Sequence, residues 1–156
     1  MATHRESRAI ALPVEWLFDV VADVERYPEF VPLMREARIV RHHHNAYETE
    51  QSLALGLLRH RFRTRTELAR PNGISIVSQD RSFCRFDIRW TFSPLAYDHC
   101  HVDFTLDCVM RSFFLMPVVE MLILPMASSM VSAFELRAHA LAATAAVRRA
   151  GPSESG

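Results

Sequence analysis

Apolar and polar residues alternate through the middle of this chain, and towards its end the period changes. From Phe83 to Phe92, Cys84, Phe86, Ile88, Trp90 and Phe92 fall on one side, and Arg85, Asp87, Arg89 and Thr91 on the other. A two-residue period of this kind predicts a β-strand with one face in a core. Val102, Phe104, Leu106, Cys108 and Met110 repeat it against His101, Asp103, Thr105 and Asp107. The segment Tyr47 to Leu57 turns Tyr47, Leu53, Leu55 and Leu57 inward and Glu48, Glu50 and Ser52 outward, with Gly56 marking a bulge or tight turn. Leu58 to Leu68 follows, with Phe62 and Leu68 inward and Arg59, Arg61, Arg63 and Arg65 outward. Shorter strands are predicted over Arg35 to His44 and Ile74 to Gln79, and a weakly alternating one over Thr3 to Leu12. Pro71-Asn72-Gly73 and Ser93-Pro94-Leu95-Ala96 supply turns.

Helical spacing appears in two places. Pro13 opens a helix over Val14 to Val24, with Trp16, Leu17, Val20 and Val21 as its buried stripe. Pro28 and Pro32 forbid its continuation, which leaves a short second helix near Pro28 to Val31. Tyr27, Phe30 and Val31 are apolar for a connection and predict a lid or wall. The last third, Ser112 to Ala150, organises the rest. Val119, Leu122, Met126, Met130, Ala133 and Arg137 follow three- and four-residue steps along one long helix. Pro117 suits a first turn, whereas Pro125 predicts a kink. Five of the seven methionines lie between Met110 and Met130, and such adaptable side chains suit irregular spaces. The stripe fits plain core packing or, in part, the wall of a cavity. The element order is strand, two short helices, about six strands and one long helix. It predicts an α+β fold in which a curved antiparallel sheet is covered on one face.

Composition narrows the function. The 156 residues suffice for one domain, expected over 1–150, with a disordered tail over 151–156. Eighteen basic residues balance eighteen acidic ones, so no global field favours nucleic acid. Every basic residue is Arg, which excludes a Schiff-base or P-loop lysine. Three cysteines without zinc spacing predict free thiols in a reducing compartment. With no signal-type apolar segment at the N-terminus, the expected location is the cytosol. His42-His43-His44 reads as solvated, because only His42 and His44 share a strand face and no partner ligand lies nearby. The arginine stripe Arg59, Arg61, Arg63 and Arg65 fits either phosphate binding or a solvent face paired with Glu48 and Glu50. The apolar run Phe113 to Ala127 is about fifteen residues, is interrupted by Glu120, and is short of the roughly twenty that a spanning helix needs. Shallow contact of this end with a bilayer is the remaining membrane reading. No Ser/His/Asp arrangement or metal spacing stands out, so neither catalytic nor metal-ligating residues are assigned.

Several segments carry a family resemblance. They are His4-Arg5-Glu6-Ser7-Arg8, the run Leu17 to Pro32 with its Asp23-Val24-Glu25-Arg26-Tyr27-Pro28-Glu29-Phe30 core, Arg61-Phe62, Arg65, Arg89-Trp90-Thr91-Phe92, Val102-Asp103-Phe104 and Ala133-Phe134-Glu135-Leu136-Arg137-Ala138. The chain resembles the coenzyme-Q-binding branch of the START-like, polyketide-cyclase-like superfamily, which also holds the RatA-type ribosome-association toxins. Met34 departs from the cysteine often found there. The resemblance implies a helix-grip fold with an apolar tunnel between sheet and long helix. It also implies binding of an isoprenoid quinone in support of respiration. Together with the apolar inward face, this predicts a non-enzymatic protein sheltering a ubiquinone-like molecule, with the Phe113 to Met116 region in peripheral contact with the inner membrane. The residues expected to touch such a ligand are Phe30, Val31, Leu53, Leu55, Phe62, Phe86, Trp90, Phe92, Phe104, Leu122, Met126 and Met130. The toxin side of the resemblance implies ribosome contact through Arg59, Arg61, Arg63 and Arg65. Cyclase-like catalysis is the remaining alternative.

Overall fold

A computed structural model describes residues 2–151. Its seven strands are β1 (Ala2–Ile10), β2 (Met34–His43), β3 (Ala46–Leu55), β4 (Leu58–Ala69), β5 (Gly73–Val77), β6 (Phe83–Leu95) and β7 (His99–Met110). They form one antiparallel sheet in the order β1-β7-β6-β5-β4-β3-β2. Strands β2 to β7 are a meander, and β1 closes it by pairing with β7, so the first two strands in sequence stand at opposite edges. Helix α1 (Val14–Ala22) and a 3₁₀ segment (Val24–Glu29) make the crossing between those edges. The expected α+β helix-grip architecture is the one observed. The tail 152–156, expected to be disordered, lies outside the described residues.

The sheet curves around the C-terminal helical segment. A 3₁₀ turn (Phe113–Leu115), α2 (Met116–Val118), a π turn (Val119–Ile123) and α3 (Leu124–Ala150) follow one another without a break. Pro125 explains the π turn. Lacking an N–H, it cannot complete the ladder at its own position, and the wider turn just before it absorbs the mismatch. By length and composition the helix from Phe113 to Ala150 could cross a membrane. Here Leu122, Ile123, Met126, Ala127, Met130, Val131, Phe134 and Ala138 are buried against the sheet and α1.

Three local features differ from the sequence pattern. A bulge between Phe83 and Arg85 shifts the register, so Phe83 joins Phe86 and Ile88 inside and Cys84 faces solvent. Leu55 and Leu57, expected inside, lie at the β3–β4 hairpin, where Gly56 takes a positive φ of 60° and the chain has run past the core. The weak alternation of β1 has a reason: its inward residues are His4, Glu6 and Arg8, and Arg8 reaches a polar flank of α3. Arg8 pairs there with Glu135 at 3.0 Å and Ser132 at 3.1 Å, and with Glu6 at 2.7 Å. Inward charges on an edge strand also discourage pairing with a further strand.

Candidate functional site

The inner faces of β3 and β4 carry residues that the hydrophobic pattern does not announce. Thr49, Gln51, Thr64 and Thr66 are all buried, in a face otherwise made of Tyr47, Leu53 and Phe62. Register brings them together, because Thr49 pairs with Thr64 and Tyr47 with Thr66. The Thr49 and Thr64 hydroxyls are 2.6 Å apart, and the Gln51 amide donates to both, at 3.0 and 3.3 Å. Buried hydroxyls and amides persist only where they find such partners.

Across from this cluster stand Met126 and Met130 of α3. Between them lies a small cavity, lined by Val24, Tyr27, Met34, Gln51, Phe62, Thr64, Thr66, Ile76, Phe86, Ile88, Met126 and Met130. Its water-accessible volume is about 20 Å³, room for about one water. Every lining side chain is neutral. Burial pushes the Tyr27 phenol well above its ordinary value, with Tyr47 and Asp23 adding to it, and burial does the same to the Tyr47 phenol. Both hydroxyls cap the end of α1: Tyr27 donates to the Val21 carbonyl, and Tyr47 to the Ala22 carbonyl at 2.7 Å. The cavity therefore offers hydroxyl and amide groups to a polar head and thioether and aromatic surface to an apolar body, with no charge to neutralise.

The residues expected from the sequence divide into groups. Phe62, Phe86, Met126 and Met130 line the cavity. Val31, Leu53, Trp90, Phe92, Phe104 and Leu122 are buried but lie in the surrounding core. Trp90 stacks on Phe92 and meets Phe104 and Phe134 at centroid distances of 4.7 and 5.1 Å, and its indole N–H is buried without an acceptor. Phe30 is half-buried on an outer groove beside α3, held edge-to-face by Phe134 at 5.2 Å and covered by the Arg137 guanidinium. Leu55 is at the exposed hairpin and is no part of the cavity, because β3 ends there beyond the cover of α3. Thr64, Thr66 and Gln51 are not among the expected residues, because a hydrophobic pattern marks only apolar positions. Their in-strand spacing from Phe62 and Leu53 was the signal available.

The arginines of β4 lie on the opposite, outer face. Arg63 and Arg38 both bind Glu50 at 2.7 Å, Arg61 reaches Glu36 at 3.5 Å and Arg65 reaches Glu67 at 3.7 Å. The first three pairs are cross-strand and the last lies within β4, as on a solvent face. His42, His43 and His44 are exposed at the β2–β3 hairpin, with His43 on Glu48 at 2.9 Å.

Residues 10–135 match the model of a family described as polyketide cyclase / dehydrase and lipid transport. The chain belongs to this family. Within it, the chain is 32% identical over 146 residues to the ribosome association toxin RatA of Pseudomonas aeruginosa, covering 90% of this chain and 99% of that protein. Its fold is that of a START superfamily protein from Mycobacterium smegmatis, with a TM-score of 0.74 and 20% identity over 89% of this chain and 98% of that one. The Zhui aromatase/cyclase of a Streptomyces species superposes with a TM-score of 0.76 and 14% identity, over 88% and 93% of the two chains. At that identity the likeness extends to the fold alone. The family's sheet-and-helix frame thus surrounds the polar cluster and the methionines described above.

Proposed function

We propose that this protein binds a neutral, largely apolar small molecule between its sheet and α3, and that the molecule is an isoprenoid quinone of ubiquinone type. One observation carries the reading: four hydrogen-bonding side chains, Thr49, Gln51, Thr64 and Thr66, are gathered on an inner face that packing alone would fill with hydrocarbon. Quinone carbonyls accept hydrogen bonds and carry no charge, which suits hydroxyl and amide donors in a cavity without ionised groups. A polyprenyl chain gains roughly 25 cal/mol per Å² when it leaves water. The present cavity holds about one water, so a ligand must displace Met126 and Met130, which are flexible enough to yield. Phe30 and its 3₁₀ segment, beside the outer groove, form the entrance. In this role the protein is a non-enzymatic carrier that works in the cytosol and at the inner membrane.

The test is organic extraction of freshly purified protein, followed by mass spectrometry and a reduced-minus-oxidised ultraviolet spectrum. A stoichiometric isoprenoid quinone supports the reading. An empty extract, together with failure to take up a ubiquinone analogue from detergent micelles, overturns it. A second reading, association with a ribosomal subunit, is favoured by the identity to RatA across nearly the whole of both chains. Salt-sensitive cosedimentation with ribosomal subunits, reduced by replacing Arg59, Arg61, Arg63 and Arg65, would support it.

A further inference from the structure

We infer that the end of the molecule bearing the β3–β4 hairpin and the start of the C-terminal helical segment is a docking surface for an anionic lipid bilayer. The inference rests on the carrier reading for its purpose, since a lipid carrier must meet a membrane, but its physical basis is separate. Two apolar prongs project there. Leu57 is 103% exposed at the hairpin tip with Leu55 beside it, and Phe113 and Phe114 are 84% and 90% exposed in the 3₁₀ turn. Both prongs belong to one end. Helix α2 packs on β4, and the π turn packs on β3. His60, two residues past Leu58, meets Phe83, and Phe83 pairs with Met110, three residues before Phe113.

The charge around the prongs selects the occupant. Arg59 follows the hairpin, Arg35 follows Met34, which pairs with Leu53, and Arg81 and Arg111 flank Phe83. Of the nearby acids, Asp80 is held by the Arg63 and Ser82 amides and Glu120 is exposed, so the four arginines outnumber them. None of the four makes an ion pair among the described residues. Arg111 is instead held by the Arg81 and Phe83 carbonyls, at 3.0 and 3.4 Å. Farther along the same sheet Arg38, Arg61, Arg63 and Arg65 are all paired with glutamates. Exposed apolar prongs beside four unpaired arginines match a bilayer, whose interior takes the prongs and whose anionic headgroups take the arginines. A two-fold contact between copies would set the same arginines against one another, which disfavours a second copy as the partner.

The experiment is cosedimentation with vesicles of equal parts phosphatidylethanolamine and phosphatidylglycerol, free of quinone, compared with pure phosphatidylcholine. Wild-type protein is expected to bind the anionic vesicles, more weakly at high salt, and to bind phosphatidylcholine less. Leu57→Asp and the pair Phe113→Asp with Phe114→Asp should each lower partitioning about tenfold. Arg59→Gln and Arg81→Gln should each lower it about fivefold. Val147→Asp, at an exposed position near the C-terminal end of α3 and away from this end, should change nothing. The prong variants should still take up a ubiquinone analogue from micelles, so failure of docking and failure of the carrier reading are read separately. Absence of binding to anionic vesicles, or full binding by both prong variants, overturns the inference. So does dimerisation that the same variants abolish, which would assign the surface to a second copy.

Discussion

Replacing Gln51 by Leu separates a ligand site from a well-made core. The Gln51 amide donates to Thr49 at 3.0 Å and to Thr64 at 3.3 Å, while the two threonines hold each other at 2.6 Å. Removing the amide therefore leaves neither hydroxyl without a partner. Two hydrogen bonds of about 0.5–1.5 kcal/mol each are lost. Against this, a side chain now only 7% exposed becomes fully apolar, and burying a leucine contributes about 1.5–3 kcal/mol. The two changes nearly cancel, and stability is expected to move by less than about 1 kcal/mol. If the amide serves a ligand carbonyl, affinity for a ubiquinone analogue falls instead, by roughly threefold to tenfold for one neutral hydrogen bond. Urea unfolding supplies the first quantity through a midpoint shift at unchanged slope. Quenching of tryptophan fluorescence on ligand addition supplies the second. Unchanged affinity in a stable Gln51→Leu protein would refute the assignment of the cluster to a head group. A loss of several kcal/mol would show that the cluster is structural.

Other outcomes follow from the same geometry. Phe134→Ala removes a fully buried ring that meets Tyr27, Phe30 and Trp90 edge-on at 5.1–5.2 Å, and should destabilise by about 3–5 kcal/mol in urea unfolding. Burial pushes the Cys100 and Cys108 thiols up to about 11, whereas Cys84 is exposed, so at pH 8 a thiol reagent should modify one residue quickly and two slowly, and Cys84→Ser should remove the fast phase. Burial, opposed by Asp80, holds the His60 imidazole below its ordinary 6.5. The unfolded chain therefore binds a proton first on acidification. The His60 contribution is complete above pH 6.5 and is lost as pH falls through the folded value, and the unfolding midpoint should drop over that range, less so in His60→Gln.

Much of the fold was legible because side-chain period is a local property. The alternation in β6 and β7 and the stripe in α3 arise from backbone geometry acting on neighbours, and the strands, α1 and the long helix appear close to their expected bounds, whereas the short helix expected near Pro28 to Val31 is a 3₁₀ segment over Val24–Glu29 that ends at Phe30. The candidate site was legible only in part. Phe62, Phe86, Met126 and Met130 can be read as inward-facing, but Phe92, Phe104 and Trp90 have the same pattern and lie in the core around the cavity rather than in its lining. Nothing in a period distinguishes a residue that borders a void from one packed on all sides.

The sequence by itself determined which residues seek the interior, that lysine chemistry is excluded, and that a small sheet precedes one long helix. Tertiary structure decided the rest, for reasons that depend on distant partners. A bulge of one residue turned Cys84 out and Phe83 in, since register is set by the paired strand. The end of the hairpin put Leu55 in solvent, because burial needs a covering element as well as an apolar side chain. Pairing of β3 with β4 made Thr49, Gln51, Thr64 and Thr66 one cluster, although up to seventeen positions separate them. Each is unremarkable alone, and only cross-strand contact lets polar groups satisfy one another away from water.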